Sequence, residues 1–295
     1  MRKSLIARWI AALGLAFAAL TPATARAPTP ALWAVSDRDT TIYLFGTIHL
    51  LPAKFDWRTA RFDQAIAGSQ QLVVETIVDE KDPGKLMAAL ASLAFAPGQQ
   101  PLRERVPASK RALLDAAVAK SGVPRAAFDR METWAAAFML LGNQYKDMGL
   151  QSGEGVESVL RKRFLSDGKK IAELETNVEQ LTFFDALSEK AQRDLLEGAI
   201  EQPKDMNKQF GGMLAAWARG DVNEIARSFN RDLAASPELK DALIKRRNVN
   251  WSQWIEQRMA QPGTLLVAVG AGHLAGSDSL VEMLRREGLQ VRRIQ

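Results

Sequence analysis

The feature that most constrains this chain is the setting of its only two histidines. His49 closes Gly46-Thr47-Ile48-His49, and His273 closes Gly270-Ala271-Gly272-His273. Each follows a short apolar run: Ile42-Tyr43-Leu44-Phe45 before the first, Leu265-Leu266-Val267-Ala268-Val269 before the second. An apolar run that empties into glycine reads as a buried strand followed by a tight turn. In open α/β sheets, ligands gather beyond the carboxyl ends of the strands. Two such strands lying parallel in one sheet bring both histidines to one edge. The competing reading is two unrelated histidines, each satisfied near a core.

Residues 1–27 have the marks of a secretory leader. Arg2, Lys3 and Arg8 form a basic start, Ile10 to Leu20 is apolar, and Ala23-Thr24-Ala25 and Ala25-Arg26-Ala27 are small-x-small cleavage sites. The apolar core is too short to span a bilayer, and no later stretch is long enough, so stable membrane insertion is not expected. The leader holds Arg2, Lys3, Arg8 and Arg26 and no acid, so its removal lowers the formal charge of +5 to about +1. The basicity of the whole chain is therefore no argument for nucleic acid. There is no cysteine, which excludes disulfides and a lipid-anchored bacterial lipoprotein. The expected location is the bacterial periplasm, or outside the cell.

The remaining residues, 28–295, suffice for one large core. Strands are predicted at Leu32 to Val35 and Thr40 to Phe45, joined as a hairpin, then at Leu72 to Glu75 after a helix over Phe55 to Ala67. That crossover predicts parallel pairing of the two strands it joins. Helical spacing fills the middle: Asp82 to Ala94, Ser109 to Ser121, Arg125 to Leu141, Glu154 to Leu165, Glu179 to Leu187, Glu189 to Glu201, Asp205 to Arg219, Val222 to Phe229, and a long helix over Pro237 to Met259. Lys170 to Leu174, Thr264 to Val269 and Gln290 to Ile294 are further strands, the last two flanking a helix over Ser277 to Glu287. The expectation is an α/β (α+β) fold. One mixed sheet is built from N- and C-terminal strands, and a helical insertion or lid at about 78–260 covers it, all in a single domain.

Glu75 ends an apolar strand, where a carboxylate is costly unless paired or bound to a metal. Two imidazoles and a carboxylate are a ligand set used by catalytic Zn²⁺ and by non-haem Fe or Mn. Glu175 follows another strand, as a base or as an orienter of histidine. Arg247 and Asn248 share a helix with Trp251 and Trp254, where an arginine can hold a carboxylate of the protein or of a substrate. Bland readings, a strand cap for the acids and a solvated face for the arginine, compete with each of these. There is no H-E-x-x-H, no G-x-S-x-G elbow, no cysteine nucleophile and no P-loop.

In order along the chain come Leu32-Trp33, Phe45-Gly46-Thr47-Ile48-His49, Val74-Glu75, Gly155-Val156-Glu157, Leu174-Glu175-Thr176 with Gln180, Arg247-Asn248 with Trp251, and Val269-Gly270-Ala271-Gly272-His273-Leu274-Ala275-Gly276. Together they resemble the TraB/GumN family, which takes in the Tiki proteases and the plasmid pheromone-shutdown proteins. The resemblance implies a metal-dependent hydrolase, Tiki-like, acting on peptides or other amide or ester substrates. His49, Glu75 and His273 would then hold a divalent ion (Mn, Co, Zn or Fe), and Arg247, Asn248 and Glu175 would support it. Two departures stand out: Glu157 where the family often has aspartate, and Met131-Glu132-Thr133-Trp134 where it often has lysine-proline-tryptophan. The alternative is an envelope protein that binds haem or a metal without turnover. A carboxylate beside the histidines favours the hydrolase, since a haem site does not need one.

Overall fold

A period of two in the strand segments sets the layers. Six strands form one sheet: β1 (Leu32–Ser36), β2 (Thr40–Thr47), β3 (Gln71–Val74), β4 (Lys170–Glu173), β5 (Gly263–Gly270) and β6 (Val291–Arg293), in the order β4-β3-β5-β2-β1-β6. The structure, a computed structural model, describes residues 27–78, 83–147, 155–201, 206–233 and 236–295. The expected leader, apart from Ala27, lies outside the described residues. Among the described residues no helix is long and apolar enough to cross a membrane.

β1 and β2 are the expected antiparallel hairpin, its turn held by Asp37, whose carboxylate accepts from the N–H groups of Asp39 and Thr40. β2, β5, β3 and β4 are parallel. The crossover does make β2 and β3 parallel, but they do not pair as expected, because β5 lies between them. Leu265 to Val269 are buried on both faces, and a strand apolar on both faces belongs at the centre of a parallel sheet.

The helices are α1 (Ala60–Gly68), α2 (Gly84–Leu93), α3 (Arg111–Ser121), α4 (Arg125–Phe128), α5 (Thr133–Asp147), α6 (Val156–Ser166), α7 (Asn177–Asp185), α8 (Glu189–Ile200), α9 (Met206–Ala218), α10 (Val222–Asp232), α11 (Pro237–Lys240), α12 (Arg246–Met259) and α13 (Leu280–Arg286). Leu266 and Ala268 face a layer made by α1, α6, α9 and α10, centred on Phe62, Phe164 and Trp217. Leu265, Val267 and Val269 face the opposite layer, made by α12 and α13 through Trp251, Ile255 and Leu284. The middle of the chain does more than cover the sheet. α2 to α5, α7 and α8 enclose a core of their own around Leu114, Phe128, Trp134 and Leu196.

Two expected helices are interrupted. Arg125 to Leu141 breaks after Phe128, where the buried Arg105 guanidinium takes the carbonyls of Asp129 and Met131 at 3.0 and 2.6 Å. Those oxygens are withdrawn from helical bonding, and the chain restarts at Thr133. Pro237 to Met259 contains a π-helical turn, Asp241–Lys245, directly before α12. Single π turns inside helices recur at functional sites.

Candidate active site

The four parallel strands end at one edge, and the chain leaving each carries a polar candidate. β2 runs into His49, β3 into Glu75, β4 into Glu175, and β5 into the 3₁₀ turn Ala271–Leu274 that bears His273. Thr47 lies opposite Gly270 in the ladder, so the two Gly-x-x-His turns leave the sheet side by side. α12 brings Arg247 and Asn248 to the same edge. The convergence is measured at Gly270: a methyl group placed there would lie 3.2 Å from Glu75 Oε1, 3.7 Å from His273 Cδ2 and 3.9 Å from His49 Nε2. All five expected site residues, His49, Glu75, Glu175, Arg247 and His273, thus belong to one constellation.

The turns are clamped from the layer of α6, α9 and α10. Trp217 Nε1–H donates to the Gly46 carbonyl at 2.8 Å, and the Val156 N–H donates to the Ile48 carbonyl at 3.1 Å. Phe229 presses so closely on Gly272 that a methyl group there would meet its ring at 2.6 Å. A side chain at 272 would therefore push against the ring that backs the His273 turn.

Arg247 is the hub. It is buried, and so are Glu75, Glu175 and His273. Its Nε donates to both Glu175 oxygens at 3.0 Å, and its Nη2 to Glu175 Oε2 at 2.8 Å and Glu75 Oε2 at 2.6 Å. Nη1 faces the Leu243 carbonyl at 3.4 Å and His273 Nε2 at 3.3 Å. The guanidinium carbon stands 4.7 Å from the centre of the Trp251 ring. The carboxylate partners of Arg247 are therefore the protein's own. Glu75 is held further by the Gly270 N–H on Oε1 at 2.6 Å and by Gln180 Nε2 on Oε2 at 3.4 Å.

Hydrogen bonding fixes the tautomer of His273. The Asn248 amide nitrogen donates to the carbonyls of His273 and Asp278, so its oxygen, 2.8 Å from His273 Nδ1, must accept. Nδ1 carries the proton, and the Nε2 lone pair faces Arg247. Burial lowers the His273 pKa to about 3, against the opposing pull of Glu75. Burial pushes the Glu75 carboxyl up, but the Arg247 and His49 cations and the Gly270 N–H hold it below the usual carboxylate range. The pair therefore rests as an ionised Glu75 beside a neutral His273. Burial raises the Glu175 carboxyl, and Arg247 restrains that rise.

His49 differs. Its side chain is 68 % exposed, and its Nδ1 lies 2.7 Å from Glu157 Oε1. Glu157 also accepts from the Thr47 hydroxyl. This carboxylate raises the imidazole to about 9, against a smaller opposing effect of burial. Nε2 is left pointing over Gly270. Glu157, Thr47 and Gln180 were not among the expected site residues. A signal for Glu157 existed: α6 runs into a parallel strand, so its first turn must start at the edge where the strands end.

A mixed α/β sheet whose four parallel strands carry this polar cluster at their carboxyl edge defines the class. The chain belongs to the TraB/PrgY/gumN family, whose model matches residues 31–293. It is similar to the uncharacterized protein YbaP of Escherichia coli (strain K12), 25 % identical over 247 residues, covering 82 % of this chain and 87 % of the relative. The Shigella flexneri YbaP matches equally. An uncharacterized protein of Treponema pallidum (strain Nichols) is 23 % identical over 172 residues, 54 % of this chain and 51 % of that one. No solved structure matches.

The expected metal ligands are brought together, but their donor atoms do not form an ion cage. Glu75 Oε1 is engaged by a backbone N–H, Glu75 Oε2 by Arg247, and the Nε2 lone pair of His273 by Arg247. Among the described residues no group of three or more His, Asp or Glu side chains is arranged to hold a metal. A divalent ion bound to Glu75 and His273 would sit within roughly 4 Å of a fixed buried guanidinium, a repulsion of several kcal/mol. As arranged, the residues do not fit the ion.

Proposed function

We propose that this chain is a hydrolase of amide or ester bonds in which His49 moves the proton. The observation that carries the reading is the His49 imidazole itself: open to solvent, held at Nδ1 by Glu157, with Nε2 aimed over Gly270 toward Glu75. A histidine oriented at one nitrogen by a carboxylate and free at the other is the arrangement of a general base. In the neutral form of the ring, which prevails above about pH 9, His49 Nε2 would take a proton from water beside Gly270 while the second hydrogen of that water bonds Glu75 Oε1. Its oxygen adds to the acyl carbon, and the proton on His49 passes to the departing amine or alcohol. Glu157 stabilises the imidazolium formed between these steps. Arg247 keeps Glu75 ionised and aimed, and His273 with Asn248 fixes the wall behind it.

The leader reading places this chemistry in the bacterial periplasm or outside the cell, with peptides or small amides and esters as substrates. The test is turnover across chromogenic esters and a peptide library by wild type, His49→Ala and Glu157→Gln. Loss of turnover in His49→Ala, with its thermal midpoint kept, is expected. A folded His49→Ala variant with wild-type turnover refutes the reading.

A further inference from the structure

We propose that Arg247 is the resident cation of this site, filling the position a divalent ion would take. Removing its guanidinium should turn Glu75, Glu175 and His273 into a divalent-cation site. Two buried carboxylates meet one guanidinium, and His273 is neutral, so the cluster carries one net negative charge. A divalent ion added beside Arg247 would reverse that sign in buried surroundings. With Arg247 gone, two carboxylates and a free imidazole lone pair match the charge of a divalent ion.

Donor type and direction agree. Glu75 Oε2, Glu175 Oε2 and His273 Nε2 all point at the guanidinium, at 2.6, 2.8 and 3.3 Å. They lie on three separate chain segments: Glu75 is also held by the Gly270 N–H and by Gln180, and His273 by Asn248, while the Glu175 carboxylate is held by Arg247. Glu75 and His273, fixed by contacts other than Arg247, should keep their aim when it is truncated, and the freed Glu175 carboxylate should turn to the ion that replaces it. Two carboxylate oxygens and one imidazole nitrogen with room for water form a set that Mn²⁺ and Zn²⁺ accept. A guanidinium serves here where an ammonium would not, because its planar fork meets both carboxylates and the imidazole at once. The π turn Asp241–Lys245 directly precedes the helix that presents it.

The experiment titrates chelator-stripped full-length protein with Mn²⁺ and with Zn²⁺, reading bound metal and thermal midpoint. Wild type should take up no stoichiometric ion, and its midpoint should not move. Arg247→Ala should bind one ion per chain at least about 100-fold more tightly than wild type, with a metal-dependent rise in midpoint of roughly 5 °C or more. Adding His273→Ala to Arg247→Ala should abolish both effects. If Arg247→Ala has no thermal transition without metal, its recovery on adding either ion supports the proposal and its failure to recover overturns it.

Stoichiometric binding by wild type that is lost in His273→Ala overturns the proposal, as does a folded Arg247→Ala that binds no better than wild type. Only one arm rests on the hydrolase reading: wild-type turnover should survive chelation. Absence of any turnover beside the expected titration would fail that reading alone.

Discussion

Gly270→Ala tests whether reactive water sits where the three side chains converge. The backbone at 270 has φ −50° and ψ 138°, which alanine adopts freely, and the Gly270 N–H to Glu75 is kept. The new methyl would stand 3.2 Å from Glu75 Oε1, tight but relievable by a small shift, and at ordinary contact from His273 Cδ2 and His49 Nε2. The cost to folding should be about 1 kcal/mol, a fall of about 2–4 °C in thermal midpoint. The cost to turnover should be larger, because the methyl takes the volume of the water. We expect kcat/KM on the best substrate to fall about 100-fold or more, equivalent to about 2.7 kcal/mol. Gly46→Ala is the contrast. A methyl there meets Ala271 Cα at 3.0 Å and Ala271 Cβ at 3.2 Å, on the paired turn and outside the convergence. It should lower the midpoint more and turnover per folded molecule less. The reasoning is refuted if Gly270→Ala retains wild-type kcat/KM, or if the two variants lose turnover in proportion to stability.

Three other outcomes follow. In Glu157→Gln the limb of the pH–rate profile that tracks loss of the His49 proton should move from near 9 toward 6.5, and the plateau should drop roughly 10- to 100-fold as the ring loses its orienter; an unmoved limb counts against the dyad. His273 is held neutral with its pKa depressed from 6.5 to about 3, so the unfolded chain binds the proton first. The stability this gives is complete above 6.5 and should fall as pH drops below it, by up to about 1.4 kcal/mol per pH unit. Urea midpoints between pH 6 and 5, below the range where the raised His49 opposes the effect, should show a slope that His273→Asn reduces, and equal slopes would exclude the effect. Protein taken from the envelope fraction of its native host should begin near Arg26 or Pro28 by mass spectrometry, whereas an intact Met1 terminus would rule out a cleaved leader.

The strands were legible because their apolar runs are short and end in glycine, and the six segments read as strands are the six of the sheet. Histidine and carboxylate positions at strand ends gave the site, since a parallel sheet gathers such ends at one edge. Neighbour order was not legible: a crossover fixes direction, but the claim of β5 on the centre comes from its burial on both faces. The break after Phe128 depends on Arg105, more than twenty residues away in sequence, and the π turn before Arg247 left no mark in the helical spacing. The role of Arg247 was legible only in part: it was expected to hold a carboxylate of the protein or of a substrate. Sequence shows an arginine and two acids, while the bond from one guanidinium to both carboxylates and to an imidazole exists only in three dimensions.

The place of β5 has a consequence for the growing chain. It is the fifth strand to be made and the only one hydrogen-bonded to both β2 and β3. Until residues 263–270 have emerged, the hairpin carrying His49 and the strand carrying Glu75 have no common partner, and the loop between them and β5 spans most of the protein. Closure of so distant a contact comes late in folding. A partly synthesised chain therefore carries the early elements of the site in an unassembled state. The strand ends that carry His49 and Glu75 meet at one edge only once β5 has paired with both.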